Sequence, residues 1–225
     1  MYTIALMIQK GGGGKTTLGL NLACAAGADG KTALIIDLDP QATACNWSDR
    51  RKERFPNLQF PVVIDAQPAR LQAALDRAAE NGVDFAVIDT PARSEQSALA
   101  AAKAADLIII PCRPQAYDLE TVPNTREILS LAGGKPAFAV LNAVPSYGNR
   151  HDQARELLES LSIPVCPHTI GNRAAFGDAG AMGKSVMEFE PKGKGADEIL
   201  QIYKYTCSQL GLLKSSPMRK AVNAR

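Results

Sequence analysis

The chain has 225 residues, 46% of them hydrophobic and 21% charged, which is too apolar for a disordered polymer and long enough to bury a sizeable core. With 25 basic residues against 23 acidic ones the net charge is +2, so any affinity for nucleic acid must come from a local basic surface and not from bulk charge. The five cysteines, at positions 24, 45, 112, 166 and 207, are odd in number and form no C-x-x-C, which argues against a disulfide framework. His151 and His168 have no metal-ligand spacing, no apolar stretch is of membrane-spanning length, and no leader-like segment precedes the first apolar run.

In chain order, apolar runs alternate with amphipathic segments. Strands are predicted over Tyr2–Ile8, Thr32–Asp37, Val62–Asp65, Phe85–Asp89, Leu107–Pro111 and Ala137–Asn142, with a short one at Ile163–Cys166. Several are apolar at every position, as in a parallel sheet covered on both faces. Helices are predicted over Thr16–Ala28, Pro68–Asn81, Ser94–Ala105, Leu119–Leu131, His151–Leu161 and Gly195–Leu210. Leu71, Leu75 and Ala78 form a helical stripe in one, and Leu157, Leu158 and Leu161 in another. Gly82, Gly133–Gly134 and Gly211 stand where helix ends are expected. The repeated β–α–β order predicts an α/β fold, a doubly wound and mainly parallel sheet with helices on both faces and a ligand at the strands' carboxyl ends. One domain is expected over residues 1–213, followed by a basic, disordered tail over 214–225.

The stretch Gln9-Lys10-Gly11-Gly12-Gly13-Gly14-Lys15-Thr16-Thr17 sits between the first strand and the first helix, the context of a phosphate-binding loop. Glycines let successive backbone N–H groups turn inward on a polyphosphate. Lys15 would reach the outer phosphates, the Thr16 hydroxyl would bind Mg²⁺, and the helix from Thr16 adds its positive dipole end. The loop departs from G-x-x-x-x-G-K-[ST] in having Gln9 at the first position, with a second lysine, Lys10, following it. Phe85-Ala86-Val87-Ile88-Asp89-Thr90-Pro91 has the strand-then-Asp form of a Walker B element, which would put Asp89 on Mg²⁺. Asp37 and Asp39 end another apolar strand, where Asp39 could simply open a turn with Pro40.

On these residues the chain resembles the ParA/MinD superfamily, whose K-G-G-x-G-K-[ST]-T loop carries a second, signature lysine. The resemblance runs from Tyr2 to Leu210 and implies an ATP-binding, Mg²⁺-dependent hydrolase that closes into an ATP-sandwich homodimer. Lys10 would then contact the partner subunit's phosphates, beside Gly11, Gly12, Gly13, Gly14, Lys15, Thr16 and Thr17 on the chain's own nucleotide. Asp37-Leu38-Asp39-Pro40-Gln41 is similar to the superfamily's D-x-D-P-Q segment, which implies that Asp39 orients the attacking water and that Asp37 supports the Mg²⁺ water shell or the loop. Asn142 resembles the position that contacts adenine, with Pro167 packing on the same base. Arg173, Lys192 and Lys194 match basic positions that give sequence-nonspecific DNA binding, with Lys184, Lys204 and Lys214 as weaker matches. A short ParA type without an N-terminal helix-turn-helix is expected, acting in the cytoplasm on the nucleoid with a ParB-like stimulating partner and no membrane. A MinD-like membrane cycle would need an amphipathic C-terminal helix, and the segment after Leu213 has Pro217 and few large apolar residues. A metal-cluster carrier lacks a cysteine ligand pattern. A small-molecule ligase on this fold has no use for Lys10.

Overall fold

The computed structural model describes residues 1–58 and 60–212; the basic tail expected from residue 214 lies outside them. Six strands make one parallel sheet: β1 (Tyr2–Leu6), β2 (Ala33–Asp37), β3 (Val62–Asp65), β4 (Phe85–Asp89), β5 (Leu107–Cys112) and β6 (Ala137–Leu141), in the order β3-β2-β4-β1-β5-β6. Because side chains alternate along a strand, each run feeds two cores. Ile4 and Leu6 point to one face with Ile35, Phe85, Val87, Ile109 and Phe138, whereas Ala5 and Met7 point to the other with Ile36, Ile88, Ile108 and Ile110. That is why these strands read as continuously apolar.

The first face is covered by α1 (Lys15–Ala28), α2 (Thr43–Arg54), α9 (Val186–Phe189) and α10 (Lys194–Gln209); the second by α3 (Leu71–Glu80), α4 (Glu95–Ala104), α6 (Val122–Leu131) and α7 (Arg150–Ser160). Two more helices, α5 (Ala116–Leu119) and α8 (Ala174–Ala181), flank the carboxyl edge of the sheet. The central α1 lies very close to the sheet. A Cβ on Gly19 would stand 3.3 Å from Val87 Cγ1, so glycine sets that approach.

The expected doubly wound sheet is therefore present, with four local departures. The helix predicted over Leu119–Leu131 begins only at Val122, as α6, behind a separate one-turn α5 that ends at Leu119. Pro123, in the first turn of α6, lacks the N–H that a continuous helix would use, and so marks a new start. The expected Ile163–Cys166 strand is a single parallel bridge, Ala139 to Val165, bounded by Pro164 and Pro167. Pro68–Arg70 is a 3-10 turn leading into α3. Helices α2, α8 and α9 were not expected at all. No helix among the described residues is long and apolar enough to cross a membrane.

Strands β1 and β5 are neighbours, but the connection leaving β1 goes to β2 on one flank and the one leaving β5 goes to β6 on the other. Such a divergence opens a crevice at the carboxyl ends of the two strands.

Candidate nucleotide site

The glycine loop fills that crevice. Gly12 and Gly14 have φ of +76° and +92°, and a Cβ on Gly14 would lie 1.9 Å from Asn142 Nδ2, so position 14 admits glycine alone. Asn142, at the end of β6, donates from Nδ2 to the Gly13 carbonyl at 2.9 Å and accepts the Ala143 N–H at 2.8 Å. Its amide thus braces the loop. Gly14 caps α1 without any side-chain hydrogen bond, which leaves the first-turn N–H groups of α1 open toward the crevice.

Lys15 is buried and folds back over the loop, donating to the carbonyls of Lys10 at 3.0 Å and Ile8 at 3.3 Å. Burial lowers its pKa, against the pull of Asp89 and Asp39. Carbonyl oxygens hold a buried ammonium less well than an anion does, so the arrangement fits a phosphate oxygen in their place.

The Thr16 hydroxyl donates to Asp89 Oδ2 at 2.6 Å, while Asp89 Oδ1 is buried with no partner. Burial first of all, with Asp37 adding to it against the Thr16 bond and Lys15, pushes the Asp89 carboxyl up to about 7. An orphaned carboxylate oxygen beside a threonine hydroxyl is a hard-oxygen pair that fits Mg²⁺. Among the described residues no group of three or more His, Cys, Asp or Glu could hold a metal, so an ion here needs further oxygens from phosphate and water.

The three aspartates expected around the cation are thus not gathered as ligands. Asp37 is buried with both oxygens taken by backbone N–H groups, Oδ1 by Asp39 at 3.0 Å and Oδ2 by Ala44 at 3.0 Å and Cys45 at 3.3 Å. It satisfies the start of α2 and fixes the Asp39–Ala42 turn. Asp39 is half-buried; its Oδ1 accepts the Gln41 N–H at 2.9 Å, and Ala42, at φ +50°, carries strain at the turn's exit.

Lys10 forms an ion pair with Asp118 on α5. Pro167 is exposed and does not line the crevice. Arg173 does line it, and is held there by Glu198, with Nε to Oε2 at 3.0 Å, instead of standing on an open basic face. Lys192 and Lys194 are exposed where the chain enters α10. The cavity, about 430 Å³, is also lined by Gln41 and Phe176, to which motif reading gave no role, and by Thr43, Arg113 and Asn172, which it did not name. Arg113 follows a parallel strand's carboxyl end directly, a position that could have drawn attention to it.

A profile of the CobQ/CobB/MinD/ParA nucleotide binding domain matches residues 4–186. The chain belongs to this family. It is 30% identical over 209 residues to the maintenance of carboxysome distribution protein A of Gloeobacter kilaueensis, covering 92% of this chain and 93% of that protein. To the chromosome-partitioning ATPase Soj of Thermus thermophilus it is 29% identical over 224 residues, covering 86% and 90% respectively. The fold is similar to that of the septum site-determining protein MinD of Pyrococcus horikoshii, complexed with Mg-ADP, with a TM-score of 0.73 over 94% of this chain and 98% of that one at 20% identity. CobQ/CobB/MinD/ParA membership accounts for the glycine loop and the parallel sheet together, and makes this a P-loop ATPase of the ParA/MinD kind.

Proposed function

We propose that the chain is a positioning ATPase whose ATP-bound homodimer grips DNA non-specifically and lets go when a partner stimulates hydrolysis. The observation that carries this reading is Lys10. It stands at the loop's entrance and is held by Asp118, and the phosphates of a second subunit's nucleotide would draw it off that carboxylate.

In the bound state the N–H groups of Gly11 to Thr17 and the Lys15 ammonium hold the phosphates, and Asn142 keeps the loop shaped for them. Mg²⁺ held by Thr16 and Asp89 would neutralise charge on the transferred phosphoryl group. Asp39, with Oδ2 uncommitted, orients the attacking water, and Asp37 holds the turn that carries it. Phe176, with Asn172 and Arg173, lines the cavity and suits the base better than the exposed Pro167 does.

Lys192 and Lys194 are the remaining candidates for DNA phosphates; doubled in a dimer, two weak contacts per subunit become a salt-sensitive, nucleotide-gated affinity. The named relatives act on chromosomes and on carboxysomes, so the cargo is a DNA segment marked by a ParB-like protein or a protein body with an equivalent adaptor. Either would act from the cytoplasm over the nucleoid, without a membrane step. The test compares binding to unrelated DNA by apo, ADP and nonhydrolysable-ATP states of wild type and Lys10→Ala at two salt concentrations. Binding confined to the ATP analogue, weakened by salt and lost in Lys10→Ala, supports the cycle. Absence of nucleotide-dependent binding at low salt removes the DNA step.

A further inference from the structure

Arg113 is the first residue after β5, the strand beside β1, so it leaves the sheet next to the glycine loop. Its guanidinium lies over that loop, since a Cβ on Gly12 would meet Arg113 NH2 at 3.8 Å. Nε is buried and has no hydrogen-bond partner. The other arginines that are not fully exposed all have acceptors. Arg50, whose Nε is likewise buried without a partner, still donates through NH2 to the Gly180 carbonyl, Arg51 donates to Glu188, Arg155 to the Cys166 carbonyl and Arg173 to Glu198. Among the described residues no carbonyl or carboxylate accepts from the Arg113 side chain. A buried guanidinium N–H without an acceptor is unfavourable unless something else supplies one.

The crevice states what that something is. Arg113 shares the cavity with Gly11, Gly12, Lys15 and Thr16, which bring N–H donors, an ammonium and a hydroxyl to the loop side, while the Asp39 carboxylate lines the same cavity. Such a set takes an anion with several oxygens. Within the loop the inner phosphates belong to Gly14 and the start of α1. Gly12 is on the outer limb, two residues from Lys10, where the last phosphate of a nucleotide running outward from α1 would lie. We propose that Arg113 binds the terminal phosphate of ATP in cis and so makes the site distinguish ATP from ADP. A planar fork fits two phosphate oxygens at once, which a lysine at the same place does not. The Lys10–Asp118 pair adjoins it, because Asp118 Oδ2 also faces the Arg113 backbone N–H at 3.4 Å. A terminal phosphate that draws Arg113 therefore acts on the same turn that holds Lys10.

This rests on the nucleotide-binding reading above, and the test separates the two. Equilibrium binding of fluorescent ADP and of a nonhydrolysable ATP analogue, both with Mg²⁺, is measured for wild type, Arg113→Gln and Arg113→Lys. The same set is repeated in the Lys10→Ala background, where a sandwich dimer cannot contribute. Arg113→Gln is expected to weaken the ATP analogue about tenfold to a hundredfold while ADP changes by no more than about threefold. Arg113→Lys falls between, because it restores the charge without the fork. Melting curves check that each variant folds, and Arg113→Lys carries the comparison if Arg113→Gln does not. Equal losses for both nucleotides, or none, overturn the proposal. A selective loss that disappears in Lys10→Ala overturns the cis assignment. Failure of wild type to bind either nucleotide instead sinks the ATPase reading, and this proposal with it.

Discussion

Lys10 and Asp118 are joined in an ion pair inside one chain, with the Asp118 side chain 3% exposed and that of Lys10 32% exposed. Lys10 cannot keep this partner and also reach a nucleotide in another subunit. The pair therefore opposes dimerisation, and Asp118→Asn, which preserves shape while removing the charge, is expected to tighten the ATP-analogue-bound dimer about tenfold by analytical ultracentrifugation. In the monomer the effect reverses. Lys10→Ala leaves a buried carboxylate uncompensated and should lose about 1–3 kcal/mol in urea melts, less than for a fully buried pair because Lys10 is partly in water. Asp118→Asn added to Lys10→Ala should recover most of that loss.

Gly14→Ala is expected to abolish nucleotide binding without unfolding the sheet. The new Cβ meets Asn142 Nδ2 head-on, and φ of +92° is strained for any L side chain. Asn142→Ala in the same chain removes the clash but not the φ strain. It should restore stability in thermal melts while affinity stays at least about tenfold below wild type, because the Gly13 carbonyl has lost its brace.

The strands were legible because each carries an unbroken apolar run flanked by turn residues; the phosphate loop was legible because glycine and lysine at that spacing have few structural uses. The α2 helix was not. Its buried stripe is Ala44, Trp47, Ser48 and Arg51, two of four polar, so hydrophobic periodicity has little to detect. Arg51 can be buried there only because Glu188, Gly183 and Phe60 accept its hydrogen bonds, and Glu188 and Gly183 come from segments distant in sequence. The same holds for Arg173: sequence shows a basic residue, and only the fold shows Glu198 turning it into the crevice. Helices α8 and α9 are short, and no periodic signal can build over such lengths.

The Arg51–Glu188 pair ties α2, and with it the Asp39 turn, to α9. Burial alone would raise the Glu188 carboxyl, but the Arg51 and Ser185 hydrogen bonds outweigh it and hold the group below its ordinary value. A carboxyl depressed in the folded state adds stability above its unfolded pKa and loses it as pH falls through the folded one. Stability should therefore decline on acidification below about pH 4.5. Glu188→Gln is expected to lose about 2–4 kcal/mol at neutral pH, since Arg51 stays buried, and to show a flatter acid limb in denaturant melts. An acid limb unchanged by the substitution would place the titrating group elsewhere.

The exposed lysines give the last expectation its sign. If Lys192 and Lys194 meet DNA phosphates, Lys192→Ala should weaken binding to every sequence alike. Each DNA phosphate that a subunit no longer neutralises should lower the slope of log affinity against log salt by about 0.9. Arg173→Ala should behave differently, because Glu198 holds that guanidinium in the nucleotide cavity. Its DNA affinity should fall only as far as its ATP-analogue affinity falls, and the salt slope at saturating analogue should stay at the wild-type value. Fluorescence anisotropy with an unrelated duplex, run at saturating ATP analogue over a range of salt, separates the two behaviours. A reduced slope for Arg173→Ala would put that arginine on the DNA and return the base-facing end of the cavity to Phe176 and Asn172 alone.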